Sequence, residues 1–103
     1  MKQIKAFVHR HRVGDLVHAL EAGGFNQLSL FEVKGLLRAW DSREEEHSVE
    51  LGETVISEVQ MEVFCEDDHV DRALEIFQRL GRHGRAGAGW LYVSPVERAI
   101  RIE

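Results

Sequence analysis

From Gly81 to Gly89 the chain reads Gly-Arg-His-Gly-Arg-Ala-Gly-Ala-Gly, directly ahead of the apolar stretch Trp90 to Val93. Glycine carries no Cβ, so such a run lets backbone N–H groups turn toward one point and cradle an anion, with Arg82 and Arg85 supplying charge. That chemistry points to a phosphate-bearing ligand. The same residues also suit a helix C-cap at Gly81 followed by a flexible connection. His9 and His11 stand two apart, a spacing that on a strand puts both imidazoles on one face. No third ligand stands at metal spacing beside them, whereas zinc sites show about four closely patterned donors. The pair therefore reads as solvated strand-end histidines, and no firm metal is expected. Cys65, at the end of an apolar strand face, reads as a small buried hydrophobe rather than a nucleophile. The adjacent acids Glu44, Glu45 and Glu46 read as a solvated tip rather than a catalytic dyad. The sequence holds no Gly-x-Ser-x-Gly elbow, Walker lysine loop or Cys-x-x-Cys pair, so no catalysis is expected.

The elements that must position these residues follow from periodicity. Residues 2 to 9 alternate Ile4, Ala6 and Val8 with Lys5, Phe7 and His9, the period of a first strand. Asp15 can cap a helix carrying Leu16, Val17 and Leu20, and Gly23-Gly24 stops it. Leu28 to Lys34 reads as a second strand. Val55 to Cys65 reads as a long third, with Val55, Ser57, Val59, Met61, Val63 and Cys65 on one side and Glu58, Gln60 and Glu62 on the other. Asp67 or Asp68 then caps a helix whose Val70, Ala73, Leu74, Phe77 and Leu80 form a core-facing stripe ending at Gly81. Trp90 to Val93 forms a fourth strand, Pro95 breaks it, and Ala99 to Ile102 has room for a short final strand. The order β-α-β-β-α-β is the split arrangement of an α+β, ferredoxin-like sandwich, in which two helices cover one face of an antiparallel sheet. Phe7, Phe31 and Phe64 fall opposite the core-facing sets, which predicts that further copies bury the second face.

A length of 103 residues, 44% hydrophobic and 30% charged, with one proline, predicts a single globular domain. The formal charge of −5 argues against nucleic acid, because phosphate-backbone binding rests on a basic surface. One cysteine and no signal-like or membrane-spanning apolar segment make the cytoplasm the expected address, without direct membrane insertion. Between the second and third strands, Leu36 to Thr54 is long and polar, with Trp40 and the Glu44 to Glu46 run. Loops of this length are commonly functional, and a partner-binding loop is the sharper reading beside a solvated hairpin extension.

Taken together, the chain resembles the PII nitrogen-regulatory signalling family. The likeness runs from Met1-Lys2-Gln3-Ile4-Lys5-Ala6 through Glu32-Val33-Lys34-Gly35, Asp67-Asp68 and Val70-Asp71 to Val93-Ser94-Pro95-Val96-Glu97-Arg98-Ala99-Ile100-Arg101-Ile102. The resemblance implies a homotrimer of ferredoxin-like subunits, each with a long loop, the T-loop, here about residues 37–54, that docks on a membrane transporter or cytosolic enzyme. It also implies nucleotide clefts between subunits, matched here by Ser29, Gly35, Leu36, Leu37, Arg38, Glu62, Phe64, Gly87, Ala88, Gly89 and Arg101. In such a site the turn at Gly87-Ala88-Gly89 offers backbone donors, Arg38 and Arg101 present planar forks to phosphate oxygens, and Glu62 accepts from an adenine amino group. Contacts from Leu36 to Arg38 would couple the ligand to the loop, and Trp40, Glu44, Glu45, Glu46 and His47 are the residues expected to meet the partner.

Departures from the family pattern narrow the ligand. A family lysine after the glycine loop is Trp90, a loop aspartate is Ala88, and a C-terminal arginine is Glu103. Each charge-assisted hydrogen bond is worth roughly 1.5 to 3 kcal/mol, so two losses cost on the order of a hundredfold at about 1.4 kcal/mol per decade. AMP or ADP is therefore expected over ATP, with Arg82 or Arg85 offsetting part of the loss. The glutamine and lysine that serve 2-oxoglutarate in the family are Ala39 and Glu58, so no 2-oxoglutarate response is expected. The tyrosine that some members modify is Leu51, which excludes uridylylation there. The alternative is a constitutive or metal-linked interaction module, such as one accompanying a metal-efflux or anion transporter, with no functional nucleotide site.

Overall fold

The computed structural model describes residues 1–33, 58–81 and 90–103. Four strands form one antiparallel sheet in the order β2-β3-β1-β4: β1 is Lys2–His9, β2 Leu28–Val33, β3 Glu58–Cys65 and β4 Trp90–Pro95. A 3-10 turn, Arg10–Arg12, leads from β1 into helix α1, Val13–Ala22, and a second, Asp67–His69, leads from β3 into helix α2, Val70–Leu80. This is the α+β, ferredoxin-like arrangement that the periodicity predicts.

The central pair is β1 with β3, in register from Lys2↔Cys65 to His9↔Glu58. Because side chains alternate across a pleated strand, that register places Ile4 beside Val63, Ala6 beside Met61 and Val8 beside Val59 on the helix-covered face. All six are buried, and Leu16 and Leu20 of α1 with Ala73, Ile76 and Phe77 of α2 close over them. Phe25 joins this core from the turn after α1. The turn is made by Gly23-Gly24, where Gly24 adopts φ +92, a left-handed conformation open to glycine at little cost. The Phe25 N–H then donates back to the carbonyl of Leu20 at 2.9 Å.

Four sequence expectations change, the first being that Asp15 stands inside the first turn of α1 rather than capping it, with Arg12 at the cap position and no side-chain cap bond. Residues 99–102 form no strand: the chain beyond Pro95 carries no regular structure, and Ile102 is 97% exposed. The alternation there is genuine, but within one chain no sheet edge takes it up. Neither Asp67 nor Asp68 caps α2 through its side chain. Glu66 and His69 stand at the cap positions without side-chain cap bonds, and Asp67 instead faces the amino group of Met1 at 2.9 Å and Nζ of Lys2 at 3.6 Å. His11 lies in the 3-10 turn rather than on β1, although its ring still stacks on that of His9. The expected extensions of the strands at Lys34 and at residues 55–57 lie outside the described residues.

Candidate functional site

The face of the sheet turned away from the helices carries the residues with binding chemistry. Strand register lays them out in rows across β2, β3, β1 and β4. One row runs Ser29, Glu62, Lys5, Tyr92; the next runs Phe31, Gln60, Phe7, Trp90; Phe64, Gln3 and Ser94 form a third. The period-two alternation that buries Met61 and Val63 necessarily presents Gln60, Glu62 and Phe64 on this side.

Within this face the amide of Gln60 donates to a carboxylate oxygen of Glu62 at 3.1 Å, fixing an acceptor directly opposite Ser29. Gln60 was visible in the sequence only as a polar residue on the outer side of the strand; its spacing of two from Glu62 was the signal for this orienting role. Around the polar pair stand aromatic rings. Phe7 meets Tyr92 edge to face at 6.1 Å, and Trp90 lies nearly parallel to Tyr92 at 6.4 Å. Phe31, Trp90 and Tyr92 are each about half exposed, at 48%, 56% and 52%. Three large rings left to water on one sheet face mark a surface suited to association.

Of the predicted nucleotide residues, the structure brings together Ser29 and Glu62 as register partners, with Phe64 two residues along β3. Arg101 is exposed in the segment after β4 and makes no ion pair among the described residues, so the single chain does not bring it to the others. Gly35, Leu36, Leu37, Arg38, Gly87, Ala88 and Gly89 lie outside the described residues, as do Trp40, Glu44, Glu45, Glu46 and His47. Ala39, Leu51, Arg82 and Arg85 lie there too.

Among the described residues, two groups have a displaced pKa. Burial pushes the Cys65 thiol up, and the neighbouring Glu66 carboxylate adds to the effect, as a hydrophobe at the end of the core requires and a thiolate nucleophile does not. The Asp67 carboxyl is held below its usual range, chiefly by its hydrogen bond to the Met1 amino group, which outweighs the opposing desolvation and is assisted by Lys2. Among the described residues no group of three or more His, Cys, Asp or Glu side chains is placed to hold a metal, and no helix is long and apolar enough to cross a membrane. The arrangement suits binding: an oriented carboxylate and a hydroxyl-bearing residue in a field of rings.

Comparison with known proteins agrees in scope with this geometry. The family model described as nitrogen regulatory protein P-II matches residues 1–103. The chain is 34% identical over 102 residues to the nitrogen regulatory protein P-II of Cereibacter sphaeroides and 32% identical over 102 residues to that of Azospirillum brasilense. It is 28% identical over 102 residues to the nitrogen regulatory protein P-II of Porphyra purpurea. In each case the match takes in 99% of this chain and 91% of the relative.

Proposed function

Since the chain belongs to the nitrogen regulatory protein P-II family, whose members are regulatory proteins, we propose that it is a non-enzymatic cytoplasmic signal-transduction protein that binds an adenine nucleotide between subunits of a homotrimer. The observation that carries this reading is the Glu62 carboxylate, held by Gln60 opposite Ser29 on a sheet face whose rings a lone chain leaves exposed. A second copy covering those rings would form the wall of a cleft, and Glu62 would accept from the amino group of the base. Arg101, which makes no ion pair among the described residues, would then serve a neighbour's phosphate together with Arg38 and the backbone of Gly87, Ala88 and Gly89.

Trp90 takes the sequence position of a lysine in the resembled family, which supports AMP and ADP over ATP. The bound nucleotide changes the population of conformers of the segment at about residues 37–54, and one of those conformers engages a membrane transporter or cytosolic enzyme. Ala39, Glu58 and Leu51 support a protein that neither senses 2-oxoglutarate nor accepts a uridylyl group at that position.

Titration calorimetry of the purified protein against AMP, ADP, ATP and cyclic AMP tests the reading. Saturable heat with AMP or ADP, lost in Arg101→Ala, and no heat with 2-oxoglutarate are expected. Absence of both heat and thermal shift with every nucleotide would overturn it in favour of a constitutive or metal-linked interaction module.

A further inference from the structure

We infer that Lys5 is the second side chain that reads the base at Glu62: its ammonium donates to the ring nitrogen beside the amino group from which the Glu62 carboxylate accepts. The inference rests on the adenine-nucleotide reading above and adds the residue that selects the base. Lys5 on β1 and Glu62 on β3 are Cα partners in the central ladder, so both side chains stand on the face turned away from the helices.

Residues opposed in this way have Cβ atoms about 4.5 to 5.5 Å apart, and a facing lysine and glutamate ordinarily gain by closing into an ion pair. This pair stays open. The carboxylate is engaged along its own strand by the amide of Gln60 at 3.1 Å. Among the described residues Lys5 makes no hydrogen bond, ion pair or ring contact, although it is only partly exposed on a central strand. Its register partner on the other side, Tyr92 of β4, packs its ring edge to face with Phe7.

A cation left without a partner is costly once water is excluded, and the exposed rings around Lys5 mark this face for covering. With Gln60 holding the carboxylate to its own side, the face presents two separate points on adjacent strands, one accepting and one donating. A planar ring meets both when an amino group stands beside an unprotonated ring nitrogen. Adenine carries that edge, whereas guanine and hypoxanthine carry an oxygen at the amino position and a proton on the ring nitrogen. A site built to bond such an atom rejects the analogue that lacks it, because its own group is then left unpaired. Lys5 therefore supplies base selectivity and leaves the phosphates to the glycine turn and the arginines.

Titration calorimetry on the full-length chain compares AMP with its deaza analogue, in which C–H replaces that ring nitrogen and the amino group is kept. The parent should bind the analogue about tenfold or more weakly than AMP, the worth of one charge-assisted hydrogen bond. In Lys5→Met, with an unchanged far-UV spectrum, AMP should weaken by a similar factor and the two ligands should bind alike, while Lys5→Arg should keep the preference. Equal affinity of the parent for both ligands overturns the inference without any variant. So does an undiminished preference in Lys5→Met, the result expected where Lys5 serves a phosphate or closes on Glu62. A parent that binds no adenine nucleotide instead overturns the nucleotide reading itself, and the inference falls with it.

Discussion

The guanidinium of Arg72 on α2 donates to the backbone carbonyl of Gly23 at 2.7 Å while its carbon lies 5.0 Å over the ring of Phe25. One side chain thus holds both the carbonyl that ends α1 and the aromatic residue that carries the chain from that end into β2. Arg72→Ala removes a charge-assisted bond and a cation–π contact at an exposed site, and a loss of about 1 kcal/mol is expected in urea unfolding. Arg72→Lys should recover only part of it, because an ammonium group lacks the planar fork.

Two glycines make a matched pair of opposite sign. Gly24→Ala forces a Cβ onto φ +92 and should cost about 1 to 2 kcal/mol. Gly14, in the first turn of α1, has nothing within 4 Å of the position a Cβ would take, so Gly14→Ala should stabilise by about 0.5 to 1 kcal/mol. Thermal melts of the two variants beside the parent check both signs.

In the core, Leu20 is fully buried between α1 and the sheet. Leu20→Ala leaves a cavity and should cost about 2 to 5 kcal/mol. A loss under about 1 kcal/mol in urea unfolding would show that α1 is not packed as described.

Asp67 gives a pH dependence of defined sign. Its carboxyl is held below its unfolded value, first by the Met1 amino group and then by Lys2. Such a group contributes stability that is present above the unfolded value and is lost as pH falls through the folded one. Between about pH 5 and 3 the parent should therefore lose more stability than Asp67→Asn, in which nothing titrates at that position. Melting curves across this window make the comparison.

The exposed rings supply a test of assembly. Tyr92→Glu and Phe31→Glu each place a charge on the face proposed to meet a second copy, and light scattering should report a fall from trimer to monomer with the far-UV spectrum unchanged. A parent protein that is itself monomeric would remove the intersubunit cleft from the account.

Much of this fold was legible because burial follows from spacing alone. Ile4, Ala6 and Val8 against Val59, Met61 and Val63 read as one face of two strands, and the register makes them neighbours. Leu16 and Leu20 read as the buried side of a short helix in the same way. Phe25 and Ile76 escaped because neither belongs to a stripe anchored by its neighbours: one enters the core from a turn, the other from the flank of α2. The segment 99–102 misled because alternation specifies which way side chains point but not whether a neighbouring strand exists. At the candidate site, Ser29, Glu62 and Phe64 were named by resemblance, and the outward side of β3 was named by periodicity. The bond from Gln60 to Glu62 was not, since the same spacing permits both a bond and two solvated side chains.

β1 and β3 pair along their whole lengths at the centre of the sheet, while β2 and β4 each hang from that pair on one side only. A substitution or insertion outside the central ladder leaves its hydrogen bonds as they are, so the outer strands and the connections they feed can be rewritten at small cost to the frame. Such a scaffold lets a lineage exchange one client or effector for another while its foldability is inherited intact.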